Sequence, residues 1–374
     1  MINRFIEMIN KYDFSFFLTM GAIFFIGILN LYSATHADAN MNVQGLYKSQ
    51  LLWFSISILI GFVISLINTK DIMRFTYVWY FLVVILLVLV MAVGKVGMGA
   101  KRWIDLGPLH MQPSEFMKLA LVLALSNWFA KVDPDLPLDF KKLFLPAIAT
   151  FIPAVLIIIQ PDLGTGGLLI LIFAFMTFYR RLRFSTIFKL VFLGMIASGF
   201  MYEYALKDYQ RKRIQTFVNP YKDAKGSGYN AIQSEIAIGS GKFLGKGYMK
   251  SSQASLNFLP ENHTDFVFSI YNEEHGFVGS IILIGLYLIL LLRLVWLAKN
   301  VTKLFDSLVV IGITAIFFWH VFINMSMVTG LLPIVGIPLP LMSYGGSSLL
   351  TFGVCIGLAT SISNSKNMFV GNDL

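Results

Sequence analysis

The sequence predicts an all-α polytopic membrane protein of about ten transmembrane helices, with a large extracytoplasmic loop between helices 7 and 8. Three observations carry that expectation. Hydrophobic residues make up 57% of the 374 and charged residues only 13%, about half the charged share usual for globular domains. Mean hydropathy is +0.73, and 34 Phe with 17 Met exceed what one water-soluble core could bury. The apolar residues also come in runs, and roughly 20 such residues cross a hydrocarbon core of about 30 Å. Together these exclude a disordered chain, a collagen-like fibre and a disulfide scaffold, and they argue against a soluble enzyme. Residues 1–374 read as a single integral membrane domain.

The first three runs are about 14–33, 50–67 and 76–93. The first is too long for the apolar part of a signal peptide, and no small-x-small cleavage site follows it, so it reads as an uncleaved anchor. The fourth, about 116–130, is short and opens with Glu115 and Lys118. It is counted because Leu119–Leu125 continues to Trp128 and Phe129; a re-entrant half-helix is the alternative. Runs five to seven are about 143–160, 163–179 and 187–203, and the last three about 274–298, 306–330 and 346–363. Between them lies the large loop, about 204–265. Its aromatic residues, among them Tyr209, Phe217, Tyr229 and Phe258, predict a partly ordered, membrane-hugging segment. The one cysteine, Cys355, lies in an apolar stretch and has no partner for an intramolecular disulfide.

Charge placement predicts orientation. With the N-terminus inside, fifteen of the 29 Lys and Arg fall on inside segments and four, Lys48, Lys95, Lys101 and Arg102, on short outside ones. Nine more lie in the large loop, which is too long to follow the rule. Both termini are therefore expected in the cytoplasm. The net charge of +9 then divides into a topology signal and a cluster of outside cations.

Ionisable residues at membrane spans are costly and often functional. Glu115 and Lys118, three apart, share a helix face and can pair. They read either as an ion pair at a helix start, with Ser114 as cap, or as the lining of an outward cavity. Asp162, before Gly164, reads as the N-cap of the sixth span or as a cavity residue. Asp265 stands in Asn262-His263-Thr264-Asp265 just before an apolar run; Thr264 or Asp265 can be a plain N-cap. A partly desolvated carboxylate at that position is also suited to act as a general base. Glu273 and Glu274 read as buried ion-pair partners, with Glu274 alternatively facing a cavity. His263 reads as structural or as a second base. His320 and Asn324 read as an interhelical polar contact. The uncharged stretch from Gly330 to Ser348, with three prolines, is expected to fold back against protein or lipid.

Four blocks resemble the SEDS family (shape, elongation, division and sporulation) in order. They are Gly99 to Gly107 with Gln112 to Lys118, Gln160 to Thr165, Gly245 to Tyr248 with Phe258 to Phe266, and Leu331 to Ser348. The stretches Gly336-Ile337-Pro338-Leu339-Pro340 and Gly107-Pro108 look more like the elongation branch than the division branch. Two positions depart from the common pattern: Asn262 stands where many members have Arg, and His275 where many have Leu.

The resemblance implies a peptidoglycan glycosyltransferase of the bacterial cytoplasmic membrane, working in elongation and rod shape. Its substrate would be lipid II, a disaccharide-pentapeptide on undecaprenyl pyrophosphate, polymerised at the outer face. The family's essential aspartate matches Asp265. Its polar cavity matches Glu115, Lys118 and Asp162, with Arg102 near the entrance, and His263, Thr264, Glu274 and Ser343 are expected to bind or support. The implied partners are a class B penicillin-binding transpeptidase, further elongation-complex membrane proteins and membrane lipid, and nucleic acid drops out. No cofactor is required by the resemblance, which leaves room for a divalent cation, Mg2+ or Mn2+. An α-linked donor giving a β-linked product needs one in-line attack, with Asp265 as base and cations at the leaving pyrophosphate. Arg102, Lys118 and the loop cations Arg211, Lys212 and Arg213 are the candidates. A lipid II flippase is the rival reading, and another lipid-linked transporter the more distant one.

Overall fold

The computed structural model describes residues 12–36, 45–97, 100–106, 109–200, 208–224, 226 and 228–370. A helix stands at every predicted apolar run. They are α1 (Ser15–His36), α2 (Leu46–Ser65), α3 (Thr69–Val93), α4 (Pro113–Phe129), α5 (Phe140–Ile159), α6 (Leu163–Tyr179) and α7 (Phe184–Phe200). After the large loop come α11 (Val267–Asn300), α12 (Leu304–Val328) and α13 (Gly346–Val370). Among the described residues, seven of these are long and apolar enough to cross a membrane: α1, α2, α3, α5, α11, α12 and α13. The others, α4, α6 and α7, have 17 residues each, at the short end of what a span needs.

α4 explains its own weak sequence signal. Every one of its residues except Phe116 and Trp128 is buried, among α3, α6, α12 and α13. A helix that meets protein on all sides need not carry the lipid-facing apolar surface that hydropathy detects. α2 and α13 meet backbone to backbone, where a Cβ on Gly353 would strike Ser57 and one on Gly357 would strike Gly61. Small residues four apart allow that approach.

The expectation of a purely helical chain needs one correction. Residues between α3 and α4 form a small antiparallel sheet of β1 (Lys95–Gly97), β2 (Ala100–Leu106) and β3 (Leu109–Met111). Its register pairs Lys95 with Trp103 and Ile104 with Met111. Strands of three and seven residues offer too few positions for a period-two pattern to stand out. The described residues of the large loop hold helices of their own. They form α8 (Asp208–Val218), a 3-10 turn (Pro220–Asp223), α9 (Tyr229–Gly241) and the single turn α10 (Ser252–Ser255).

The bundle sorts its polar contacts to two ends. At one end Asp13 meets Arg293 and Ser363, and Thr69 meets Asp306. Arg180 there donates to the carbonyls of Val132 and Asp133. At the other end Gln50 meets Ser343, Arg102 meets Gln160 and Ser33 meets Glu274.

α11 is broken at Gly276, whose φ of 62° and ψ of −159° are open essentially to glycine alone. A break in a membrane helix leaves backbone groups that lipid cannot satisfy. The strip Lys242–Gly247 satisfies them. The N–H groups of Lys246 and Gly247 donate to the carbonyls of Glu273 and Glu274, both at 2.9 Å. The N–H groups of Phe277 and Val278 donate to Lys242 and Phe243, at 3.0 and 3.2 Å. The first part of α11 is thereby stitched to the large loop.

Candidate active site

Asp265 lies two residues before α11 and is held through its backbone. Its carbonyl accepts from Nδ2 of Asn324 on α12 at 3.0 Å, and the same nitrogen donates to the Ile337 carbonyl at 2.7 Å. Ser343 repeats the device one residue earlier: its Oγ donates to the Thr264 carbonyl at 2.6 Å and accepts from the Leu339 N–H at 2.8 Å. The Tyr344 N–H donates to the His263 carbonyl at 2.9 Å. The proline-rich stretch after α12 is thus fastened along the segment that carries Asp265. Gly336, at a φ of +75°, turns its missing side chain toward Asp265, with Oδ2 only 3.3 Å from where a Cβ would stand.

Asp265 is half-buried, and its carboxyl is surrounded by charge. Burial pushes its pKa up from 3.8 to about 6, and the Glu261 and Asp162 carboxylates push the same way. The guanidinium groups of Arg213 and Arg102 pull it down. The charges of two cations and two further carboxylates therefore converge on Asp265.

Each neighbour is positioned by its own element. Arg102, on β2, donates from Nε to the Gln160 carbonyl at 3.0 Å and from Nη2 to Pro161. Asp162 caps α6, its Oδ1 accepting from the Thr165 N–H at 3.1 Å, and its carboxylate pushes the Asp265 pKa up. Arg213, on α8, donates to the Ile334 carbonyl at 3.2 Å. Its neighbour Lys212 instead pairs with Asp223 at 3.0 Å, with both side chains exposed. Thr264 Oγ1 donates to Glu261 Oε2 at 3.0 Å, and a ring nitrogen of His263 lies 3.3 Å from Asn262 Oδ1.

The remaining candidates lie apart from these contacts. Lys118 and Glu115 are buried, 2.8 Å from each other, and Lys118 Nζ is also 2.8 Å from His320 Nε2. His320 Nδ1 lies 2.7 Å from the Ile316 carbonyl, which can only accept. Nδ1 therefore carries the proton, and Nε2 is left bare to accept from Lys118. His320 and Asn324 share a face of α12, so the buried lysine lies about 6 Å, one turn, along the helix from the anchor of Asp265. Glu274 sits against α1, accepting from Ser33, and is absent from the charges acting on Asp265. Glu273 accepts from Lys246 at 2.5 Å, Ser252 Oγ at 2.6 Å and the N–H of Ser252 at 3.1 Å. It ties the large loop to α11.

Arg213 is one of the three adjacent loop cations named as candidates, and only its face of α8 distinguishes it from Lys212. Asn324, read as an interhelical polar contact, makes its contacts to the backbone of Asp265 and Ile337. Among the described residues no three His, Cys, Asp or Glu side chains converge to hold a metal ion. The divalent cation left open above gains no ligand set here, and no step is routed through one.

The chain resembles known proteins over nearly its whole length. The family model FTSW_RODA_SPOVE, described as cell cycle protein, matches residues 13–368. A peptidoglycan glycosyltransferase MrdB of Escherichia coli is 40% identical, over 77% of this chain and 78% of its own length. A peptidoglycan glycosyltransferase RodA of Treponema pallidum is 30% identical, over 96% and 98%. The crystal structure of the rod shape determining protein RodA of Thermus thermophilus superposes with a TM-score of 0.70 at 29% identity, covering 95% and 97%. A chain from a peptidoglycan synthase complex that coordinates polymerisation and crosslinking superposes at 0.82 with 30% identity, covering 95% and 98%. This chain belongs to the FtsW/RodA/SpoVE family.

Proposed function

We propose that this chain is the peptidoglycan glycosyltransferase of cell elongation, with Asp265 as the base that activates the acceptor. One observation carries the assignment of the base. A carboxyl whose pKa is raised to about 6 feels the charges of two guanidinium groups. Near-neutral basicity suits proton abstraction at physiological pH. Asp265 takes the proton of the acceptor's 4-hydroxyl as that oxygen attacks the anomeric carbon of the lipid-linked donor. The bond to pyrophosphate breaks on the opposite face, and the anomeric centre inverts. Arg102 and Arg213 stabilise the charge on the departing pyrophosphate. Asn324, Ser343 and the buried Glu115, Lys118 and His320 hold the segments in place.

Ten helices span the cytoplasmic membrane in this reading, with α4, α6 and α7 completing the seven long ones. Both termini face the cytoplasm, and the cleft faces the exterior, where lipid II is polymerised. A class B penicillin-binding transpeptidase is the partner that cross-links the product. The likeness to a chain from a complex of polymerisation and crosslinking supports that pairing.

Purified protein given labelled lipid II should yield glycan strands on a gel, and Asp265→Asn should yield none while remaining folded. The flippase reading predicts the reverse, translocation of lipid II in vesicles without any glycan product. Equal polymerisation by the wild type and Asp265→Asn would remove Asp265 from the mechanism.

A further inference from the structure

A second cavity, of about 250 Å³, opens beside the cleft. Its walls come from α8, the 3-10 turn, α9, the end of α12 and the start of the proline-rich stretch. Arg213 stands on one wall and Glu235 on another. Phe217, Leu332 and Pro333 supply apolar surface, and Asn230 supplies an amide. The cavity and the cleft share structure. Arg213, which lines the cavity, also acts on Asp265. Ile334 also lines the cavity, and Gly336, two residues on, abuts Asp265 Oδ2. The two spaces are therefore the two sides of one turn.

We propose that this cavity binds the peptide stem of the lipid-linked substrate, with Glu235 holding the stem's free amine. The proposal rests on the glycosyltransferase reading, because it supplies the substrate. The order of groups fits such a ligand. A cation lies where the cavity meets the cleft, on the side of the sugar and pyrophosphate. Apolar surface suits the small side chains of a stem, and the Asn230 amide suits a peptide bond. Glu235 comes from α9 rather than from α8, which carries Arg213, so an amine partway along the peptide meets a different wall from the pyrophosphate. Glu235 leans over Gly330, whose φ is +74°, and a Cβ there would strike its carboxylate. The position of Glu235 thus depends on a glycine at the end of α12. A lipid tail would use the apolar wall alone and leave Glu235 without a role.

The test uses full-length Asp265→Asn protein in detergent, so that affinity is read without turnover. Three probes are compared: lipid II, lipid II with its stem amine acetylated, and the lipid-linked disaccharide lacking the stem. Acetylation should weaken binding about three- to fivefold, the size of an exposed ion pair. Adding Glu235→Gln should erase that difference. Adding Ala231→Trp, which fills the cavity, should weaken lipid II but leave the stemless probe unchanged. Equal affinity of the Asp265→Asn protein for native and acetylated lipid II overturns the proposal. So does an Ala231→Trp effect of equal size on the stemless probe, the result expected for a lipid tail. Absence of glycan strands from wild-type protein is a separate outcome, and it strikes the glycosyltransferase reading instead.

Discussion

The side chain of Asn324 on α12 bridges two backbone carbonyls, that of Asp265 at 3.0 Å and that of Ile337 at 2.7 Å. One amide thus joins the segment carrying Asp265 to the proline-rich stretch after α12. Asn324→Leu should lower kcat about 10- to 100-fold, the worth of 1.4–2.8 kcal/mol in a barrier. KM should hardly move, since Asn324 meets Asp265 through its backbone. Steady-state kinetics on folded protein decide it. A merely structural role would lower the yield of folded protein and leave its specific activity intact.

Asp265 predicts two pH dependences of opposite sense. As a base it must be ionised, so activity should rise with pH through about 6 and then level off. Stability runs the other way. A carboxyl raised from 3.8 to about 6 on folding binds its proton more tightly in the folded protein than in the unfolded chain. That contribution is complete below pH 3.8 and is lost as pH rises through about 6. Asp265→Asn, neutral throughout, should therefore gain on the wild type in melting temperature across that window.

The cations of α8 should separate sharply. Arg213→Ala should raise KM for lipid II about tenfold, as expected for loss of one charge-assisted contact. It should also move the acid limb of the pH–rate profile to higher pH, because Arg213 pulls the Asp265 pKa down. Lys212→Ala, which breaks only the exposed pair with Asp223, should leave both near wild type. Identical effects of the two substitutions would return the outside charge to a topology signal alone.

Lys118 and Glu115 form a buried pair, so removing one charge strands the other. Lys118→Met should destabilise the protein by about 3–5 kcal/mol. Glu115→Gln combined with Lys118→Met should recover most of that loss. Thermal unfolding of the two variants side by side checks the prediction. Failure of the double variant to recover would mean that His320, not Glu115, is the important partner of Lys118.

Gly276 should tolerate no side chain. Gly276→Ala places a Cβ against the Gly245 backbone and forces a conformation costing about 1–3 kcal/mol in backbone strain alone. The strip 242–247 would then lose its seat, and the yield of folded, active protein should collapse. Gly285→Ala, further along α11 where nothing lies within 4 Å, is the control and should behave as wild type.

Much of this protein was legible from sequence because hydropathy is a local sum. The runs at 14–33, 163–179 and 306–330 became helices with nearly those bounds, since each residue's affinity for lipid adds to its neighbour's. The motif order also marked Asp265, Asp162 and Arg102 as candidates, and the structure brings those three together. The small sheet escaped because three-residue strands carry no period, and α4 was faint because protein, not lipid, surrounds it.

The sequence alone determined a membrane-embedded chain, its apolar runs and the residue types available for chemistry. Only the tertiary structure decided which of them cooperate. Arg102, Asp162, Arg213, Asp265, Asn324 and Gly336 come from six separate segments. Adjacent residues such as Lys212 and Arg213, by contrast, point to different partners. Coulomb forces and hydrogen bonds depend on distance in space, whereas a membrane span depends on neighbours along the chain.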